Sequence, residues 1–194
     1  MSGEIVGILL AAGAGRRFGG DKLLHVLADG TPMALAAARN LALACDRVGV
    51  VLRAAEHPLA RRFEEAGYAL IVCPEADGGM GHSLAAGVGA THDAAGWVVA
   101  LADMPFIQPD SLRAVAAALR AGASLAAPTF QGRRGHPVGF ARQWRAPLCA
   151  LVGDQGARQI LTTHREQVVL CPVDDEGVLM DIDRPQDMPC GARG

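Results

Sequence analysis

The chain of 194 residues is 51% hydrophobic and 20% charged, with a formal net charge of −2, the composition of a globular domain with its own core rather than of a disordered segment. Near-neutral charge excludes the broad basic field that draws nucleic acid or an anionic membrane, so a bound anion must be met by a local cluster of cations. No stretch nears the roughly 20 apolar residues of a membrane helix, and the five cysteines (Cys45, Cys73, Cys149, Cys171, Cys190) form no C-x-x-C pair, which argues against a disulfide framework or a zinc site.

Ile5–Ala11 is almost wholly apolar and stops at Gly13, as a buried strand does. No basic segment precedes it, so a targeting peptide is not expected and a reduced, cytoplasmic setting is. Thr31-Pro32 reads as the N-cap and first residue of a helix reaching about Cys45. Then follow a strand at Val48–Leu52, a short helix from Pro58 to Ala66 ended by Gly67, and a strand at Ala69–Cys73. A helix is expected from Ser83 to His92, a strand at Trp97–Leu101, a helix from Pro109 to Ala121 and a strand at Ser124–Pro128. Beyond it the pattern loosens into glycine-rich segments, a helix around Gln155–His164, a strand at Val168–Cys171 and a final turn at Asp183–Pro185. Alternating strands and helices predict an α/β fold: one domain over 1–194, with a mainly parallel sheet and helices on both faces. Ligands of such sheets sit at the carboxyl ends of the strands.

The first strand is followed by Ala11-Ala12-Gly13-Ala14-Gly15-Arg16-Arg17-Phe18-Gly19-Gly20-Asp21-Lys22. Glycines let backbone N–H groups approach a phosphate, and Arg16, Arg17 and Lys22 add cations; a flexible solvated turn is the plainer alternative. No Lys-Ser or Lys-Thr follows, so this is not a P-loop, and Phe18 stands where a dinucleotide fingerprint needs its third glycine. Asp103 ends the fourth strand and is followed by Met104-Pro105; it could bind Mg²⁺ or simply cap a turn. Alternation in a strand would put Asp181 and Asp183 on one side, as a metal pair or an exposed edge. Gly81-His82-Ser83 enters a helix, with Ser83 as cap or ligand donor. Gly132-Arg133-Arg134-Gly135-His136-Pro137 and Gly153-Asp154-Gln155-Gly156-Ala157-Arg158 are two further turns, each weak alone as a site for a second anionic substrate.

Taken together, six segments resemble the molybdenum cofactor cytidylyltransferase family of nucleotidyltransferases: Leu10–Lys22, Gly79–Val88, Leu101–Pro105, Gly132–Val138, Gly153–Arg158 and Asp181–Pro185. They stand in the family order and span nearly the whole chain. The resemblance implies a Rossmann-like nucleotidyltransferase fold and transfer of CMP from CTP to the phosphate of the molybdopterin cofactor, with release of pyrophosphate. It implies that Ala11, Ala12, Gly13, Gly15, Arg16, Arg17, Lys22, Gly81, His82 and Ser83 bind the nucleotide. Arg17, Lys22 and Asp103 would carry catalysis, and Asp103 and Asp183 would hold Mg²⁺, with Mn²⁺ as a substitute. Arg134, His136, Pro137, Asp154 and Arg158 would meet the acceptor. The part up to about residue 105 would bind nucleotide, and about 106–190 the acceptor.

Such a reaction needs positioning and charge neutralisation more than a covalent nucleophile, and the attacking phosphate already lacks its proton. No general base is therefore assigned. The rival readings are a guanylyltransferase, a nucleotidyltransferase with another phosphorylated acceptor, and a non-catalytic chaperone carrying cofactor to a molybdenum hydroxylase. A molybdenum hydroxylase or its chaperone is also the expected protein partner; nucleic acid and membrane are not.

Overall fold

All six residues of Ile5–Leu10 (β1) are buried, because this strand lies mid-sheet with helices over both its faces. The computed structural model describes residues 3–13 and 21–188. β1 pairs in parallel with Arg47–Leu52 (β2) on one side and Gly96–Leu101 (β4) on the other; Ala69–Val72 (β3) extends the sheet beyond β2. Past β4 come Val138–Ala141 (β7), antiparallel, then Leu125–Phe130 (β5) and Val168–Pro172 (β8). A two-residue strand, Arg133–Arg134 (β6), folds back on β5 through Gln131 (φ 49°) and Gly132 (φ 75°), the positive pair of a tight hairpin turn. The described strands thus form one mixed sheet of eight, six of them running the same way.

One face is covered by Met33–Ala42 (α1), Ala60–Glu65 (α2) and Pro109–Arg120 (α4), and the other by Met80–Ala90 (α3), Arg145–Cys149 (α5) and Arg158–Thr163 (α6). In α4 Pro109 supplies a preset first turn, and Leu112, Val115, Ala116 and Leu119 form the buried stripe against Leu9 and Val98. On the opposite face Leu84, Val88 and Leu148 pack on Val6, Ile8 and Trp97. No helix among the described residues is long and apolar enough to cross a membrane. Cys45, Cys73, Cys149 and Cys171 are free thiols.

The α/β reading holds, with local corrections. Pro32, not Thr31, stands at the N-cap of α1, because the Thr31 hydroxyl is engaged with Asp29 and Arg39. Ser83 is not a cap either: α3 starts at Met80, leaving Ser83 buried inside it. The helices expected from Pro58 and Gln155 are shorter, at α2 and α6. β7 and α5 were not expected at all. Residues 181–183 form no strand; Ile182 is buried and donates its N–H to the Asp103 carbonyl at 3.0 Å, while Asp181 is exposed.

Candidate active site

The sheet's connections leave β1 in opposite directions, toward β2 and, later, β4, which opens a crevice beyond the carboxyl ends of β1 and β4. Asp103 stands there, two residues past β4, with the Ala102 N–H held by the Leu10 carbonyl at 3.1 Å. The Ile182–Asp103 backbone bond brings Asp183 alongside. Between the two carboxylates lies Lys22, whose Nζ is 2.7 Å from Asp103 Oδ2 and 3.1 Å from Asp183 Oδ1. The Lys22 side chain is only 10% exposed. Burial disfavours its ammonium, but the two carboxylates outweigh that and raise its pKa above the ordinary lysine value. Three residues from remote parts of the sequence thus form one charge cluster. Lys22 is also the chain's one lysine, against seventeen arginines.

A cavity of about 420 Å³ opens above this cluster, lined by Ala12, Gly13, Lys22, Ser83, Asp103 and Asp154 among others. That size suits a small-molecule site. Asp154 reaches it because the start of α3 docks on the 153–154 turn. The Gly81 N–H donates to the Gly153 carbonyl at 2.8 Å. Gly79 has φ 117° and ψ 172°, and a Cβ there would fall 2.3 Å from the Gly153 carbonyl carbon. Asp154, assigned to the acceptor by sequence, therefore lines the same cavity as Gly13 and Lys22. Gly81 works through its backbone and lines neither cavity. The His82 ring folds over Gly78, outside both.

A second cavity of about 370 Å³ adjoins the first across Leu10, Met80 and Leu101. Apolar Leu84, Val138, Phe140 and Leu161 line it, and Arg134, His136, Gln155 and Arg158 supply its polar groups. Exposed Arg134 comes from β6. His136 is fixed by donating its N–H to the Val178 carbonyl at 2.8 Å and by the buried Pro137 after it, joined through a cis peptide bond. Its Nδ1 is buried with no hydrogen-bond partner among the described residues. Burial pushes the imidazole pKa down, Asp103 and Asp181 oppose this and Arg134 adds to it, so the ring is favoured in its neutral form.

Gly15, Arg16 and Arg17 lie outside the described residues, while Ala11 is buried at the base of the loop. Two participants escaped the sequence reading. Arg53, directly after β2, lines the first cavity, donates to the Ala12 carbonyl at 3.3 Å and pairs with Asp77 at 2.7 Å. His57 accepts from the Leu59 N–H through Nδ1 at 3.2 Å, which leaves its hydrogen on Nε2, 2.9 Å from Asp21 Oδ2. Asp21 Oδ1 in turn accepts from the Leu23 N–H at 3.1 Å, capping the short turn that carries Lys22. Looking one residue past each strand would have found Arg53; nothing in the sequence pairs His57 with Asp21. A separate depression lies by the amino ends of β2 and β3, far from this cluster. Its Asp46 and Arg47 are already ion-paired, and burial pushes its Cys45 thiol up to about 12.

Gly13, Lys22 and the carboxylate pair meet at the switch point of the sheet, where folds of this kind bind nucleotides. The chain belongs to the MobA-like NTP transferase family, whose domain matches residues 7–168. It is 32% identical over 194 residues to the purine catabolism protein PucB of Bacillus subtilis, covering 94% of this chain and 93% of that one. It is 33% identical over 193 residues to the nicotine blue oxidoreductase of Paenarthrobacter nicotinovorans, covering 95% and 94%. Its fold matches that of the Mycobacterium tuberculosis protein Rv0371c with a TM-score of 0.78 at 26% identity, over 96% of each chain. That mycobacterial protein is also known in complex with manganese.

Proposed function

We propose that this nucleotidyltransferase moves CMP from CTP to the phosphate of the molybdopterin cofactor, giving the cytosine dinucleotide form and pyrophosphate. The observation that carries the reading is the pair of adjoining cavities, one over Lys22, Asp103 and Asp183, the other apolar with Arg134, His136 and Arg158. A nucleotide with its triphosphate suits the first, and a flat acceptor ring with an anionic tail suits the second.

Asp103 and Asp183 fit a divalent ion, Mg²⁺ or Mn²⁺: they lie close enough to share one cation, and such ions take one or two protein carboxylates with phosphates and water. Bound there, the ion would neutralise triphosphate charge. The chain's own part is positioning: Gly13 and Arg17 would cradle the triphosphate, and Lys22 would meet the α-phosphate. Ala12 and Ser83 wall the nucleotide side, where the Ala12 methyl leaves room for a pyrimidine. The reading goes with a cytoplasmic setting and with a molybdenum hydroxylase or its chaperone as receiver of the product.

A second reading, guanylyl transfer, has one feature in its favour. Asp154 lines the nucleotide cavity, and a carboxylate can accept from two N–H groups on a guanine edge. Pyrophosphate release measured with CTP and with GTP separates the two: kcat/KM is expected to be at least tenfold higher for CTP, and a higher value for GTP moves the protein to the guanylyl branch.

The two-cavity division gives a further expectation. Arg134→Ala and Arg158→Ala are expected to raise the acceptor KM by about 10- to 100-fold, the equivalent of about 1.5–3 kcal/mol for a charged hydrogen bond, with CTP-analogue binding unchanged. Asp154→Ala is expected to do the reverse. Calorimetry with a non-hydrolysable CTP analogue beside acceptor kinetics checks both, and equal losses for both ligands in any one variant would dissolve the division for that residue.

A further inference from the structure

We infer that Lys22 is a built-in counter-cation that holds the carboxylate pair in the metal-free protein and is exchanged for the divalent ion when nucleotide arrives, so that metal and triphosphate are admitted together. The inference rests on the reading that Asp103 and Asp183 are the metal ligands.

Its ground is one geometric conflict. The Lys22 ammonium sits 2.7 Å from one carboxylate and 3.1 Å from the other, in the space that a shared metal ion would occupy. A divalent ion and an ammonium cannot both lie between the same oxygens at bonding distance, and their like charges repel. Entry of the ion between those two oxygens therefore requires the ammonium to leave. The Lys22 side chain is 10% exposed, so a released ammonium needs a new anion to face. Among the described residues, the direction open to it is the cavity that Lys22 itself lines with Gly13. A triphosphate there would receive the ammonium and would give phosphate oxygens to the metal.

Side-chain chemistry suits the exchange. Every other basic chain among the Lys and Arg residues is an arginine. A guanidinium would clamp a carboxylate through a planar fork, whereas an ammonium is a compact point charge on a flexible stem that can swing between partners. The stem is anchored at its base, because Asp21 caps the turn through the Leu23 N–H and is itself held by His57. The backbone stays fixed and the ammonium alone moves.

The test uses Mn²⁺, followed by electron paramagnetic resonance, and amine modification of Lys22 by acetic anhydride, followed by peptide mass spectrometry. With a single lysine in the chain, Lys22 and the N-terminal amine are the only targets, and they fall in different peptides. In the wild type, saturating Mn²⁺ without nucleotide should raise the Lys22 modification rate several-fold, and Mn²⁺ with a non-hydrolysable CTP analogue should suppress it. Lys22→Met and Lys22→Gln should each bind Mn²⁺ without nucleotide about tenfold or more tightly than the wild type, and the further gain on adding the analogue should shrink. A modification rate indifferent to Mn²⁺, or variants binding Mn²⁺ no more tightly than the wild type, overturns the exchange. The metal reading fails separately: Asp103→Asn would then bind Mn²⁺ as the wild type does.

Discussion

Asp103→Ala is expected to give a folded protein whose kcat/KM is lower by about 100- to 1,000-fold at saturating Mg²⁺. Asp103 is fixed by the Ala102–Leu10 backbone bond on one side and by its own carbonyl's bond from Ile182 on the other. Its carboxylate is therefore delivered by the sheet, not by a mobile loop. On the proposed reading the change removes a metal ligand, which forfeits charge stabilisation of several kcal/mol, and each roughly 1.4 kcal/mol is a factor of ten in rate. The fold should survive, because Lys22 keeps Asp183 at 3.1 Å. The cost in stability should be about 1–3 kcal/mol, the range for leaving a buried charged group with one partner fewer. Thermal melting and steady-state pyrophosphate release, measured on the same sample, check both halves. Near-normal turnover would remove Asp103 from the reaction.

Gly79→Ala is expected to be the most damaging single-methyl change at the site. At φ 117° and ψ 172° the backbone occupies a region essentially reserved for glycine, which costs another residue on the order of 1–3 kcal/mol. The new methyl would also meet the Gly153 carbonyl carbon at 2.3 Å and Asp154 Oδ1 at 2.5 Å. Backbone must shift, adding about 1–3 kcal/mol. Together these should lower Tm by about 5–20 °C for a domain of this size. They should also separate α3 from the 153–154 turn, weakening nucleotide and acceptor binding at once. Gly78→Ala is the control, since the nearest atoms its methyl would meet belong to the movable His82 ring, at 2.7 Å. Equal melting temperatures for the two variants would show that the docking of α3 on that turn contributes little.

The residues that sequence reading placed well are those whose signal is local. β1 is legible because six consecutive apolar residues end in glycine, and Asp103 because a carboxylate follows an apolar strand and precedes Pro105. α4 carries its own start, stripe and stop. β7 stayed hidden because four residues, Val138 to Ala141, show no usable period, and their antiparallel place between β4 and β5 is a matter of long-range pairing. Asp154 was set on the acceptor side for a similar reason. Its place in the cavity over Lys22 depends on bare backbone of Gly79 and Gly81 meeting the 153–154 turn, a contact without side-chain pattern. Lys22 was read as a phosphate ligand from its place after a glycine loop; that its ammonium joins two carboxylates 81 and 161 residues away is visible only once the chain is folded.

The most direct test of the account is mass analysis of the product after the protein is mixed with CTP, Mg²⁺ and the phosphorylated pterin acceptor. The account predicts one new species, the acceptor plus one CMP joined through a phosphate–phosphate bond, appearing in step with one pyrophosphate per product. Transfer of GMP in preference to CMP, or an acceptor that returns unchanged with every nucleoside triphosphate, would contradict it.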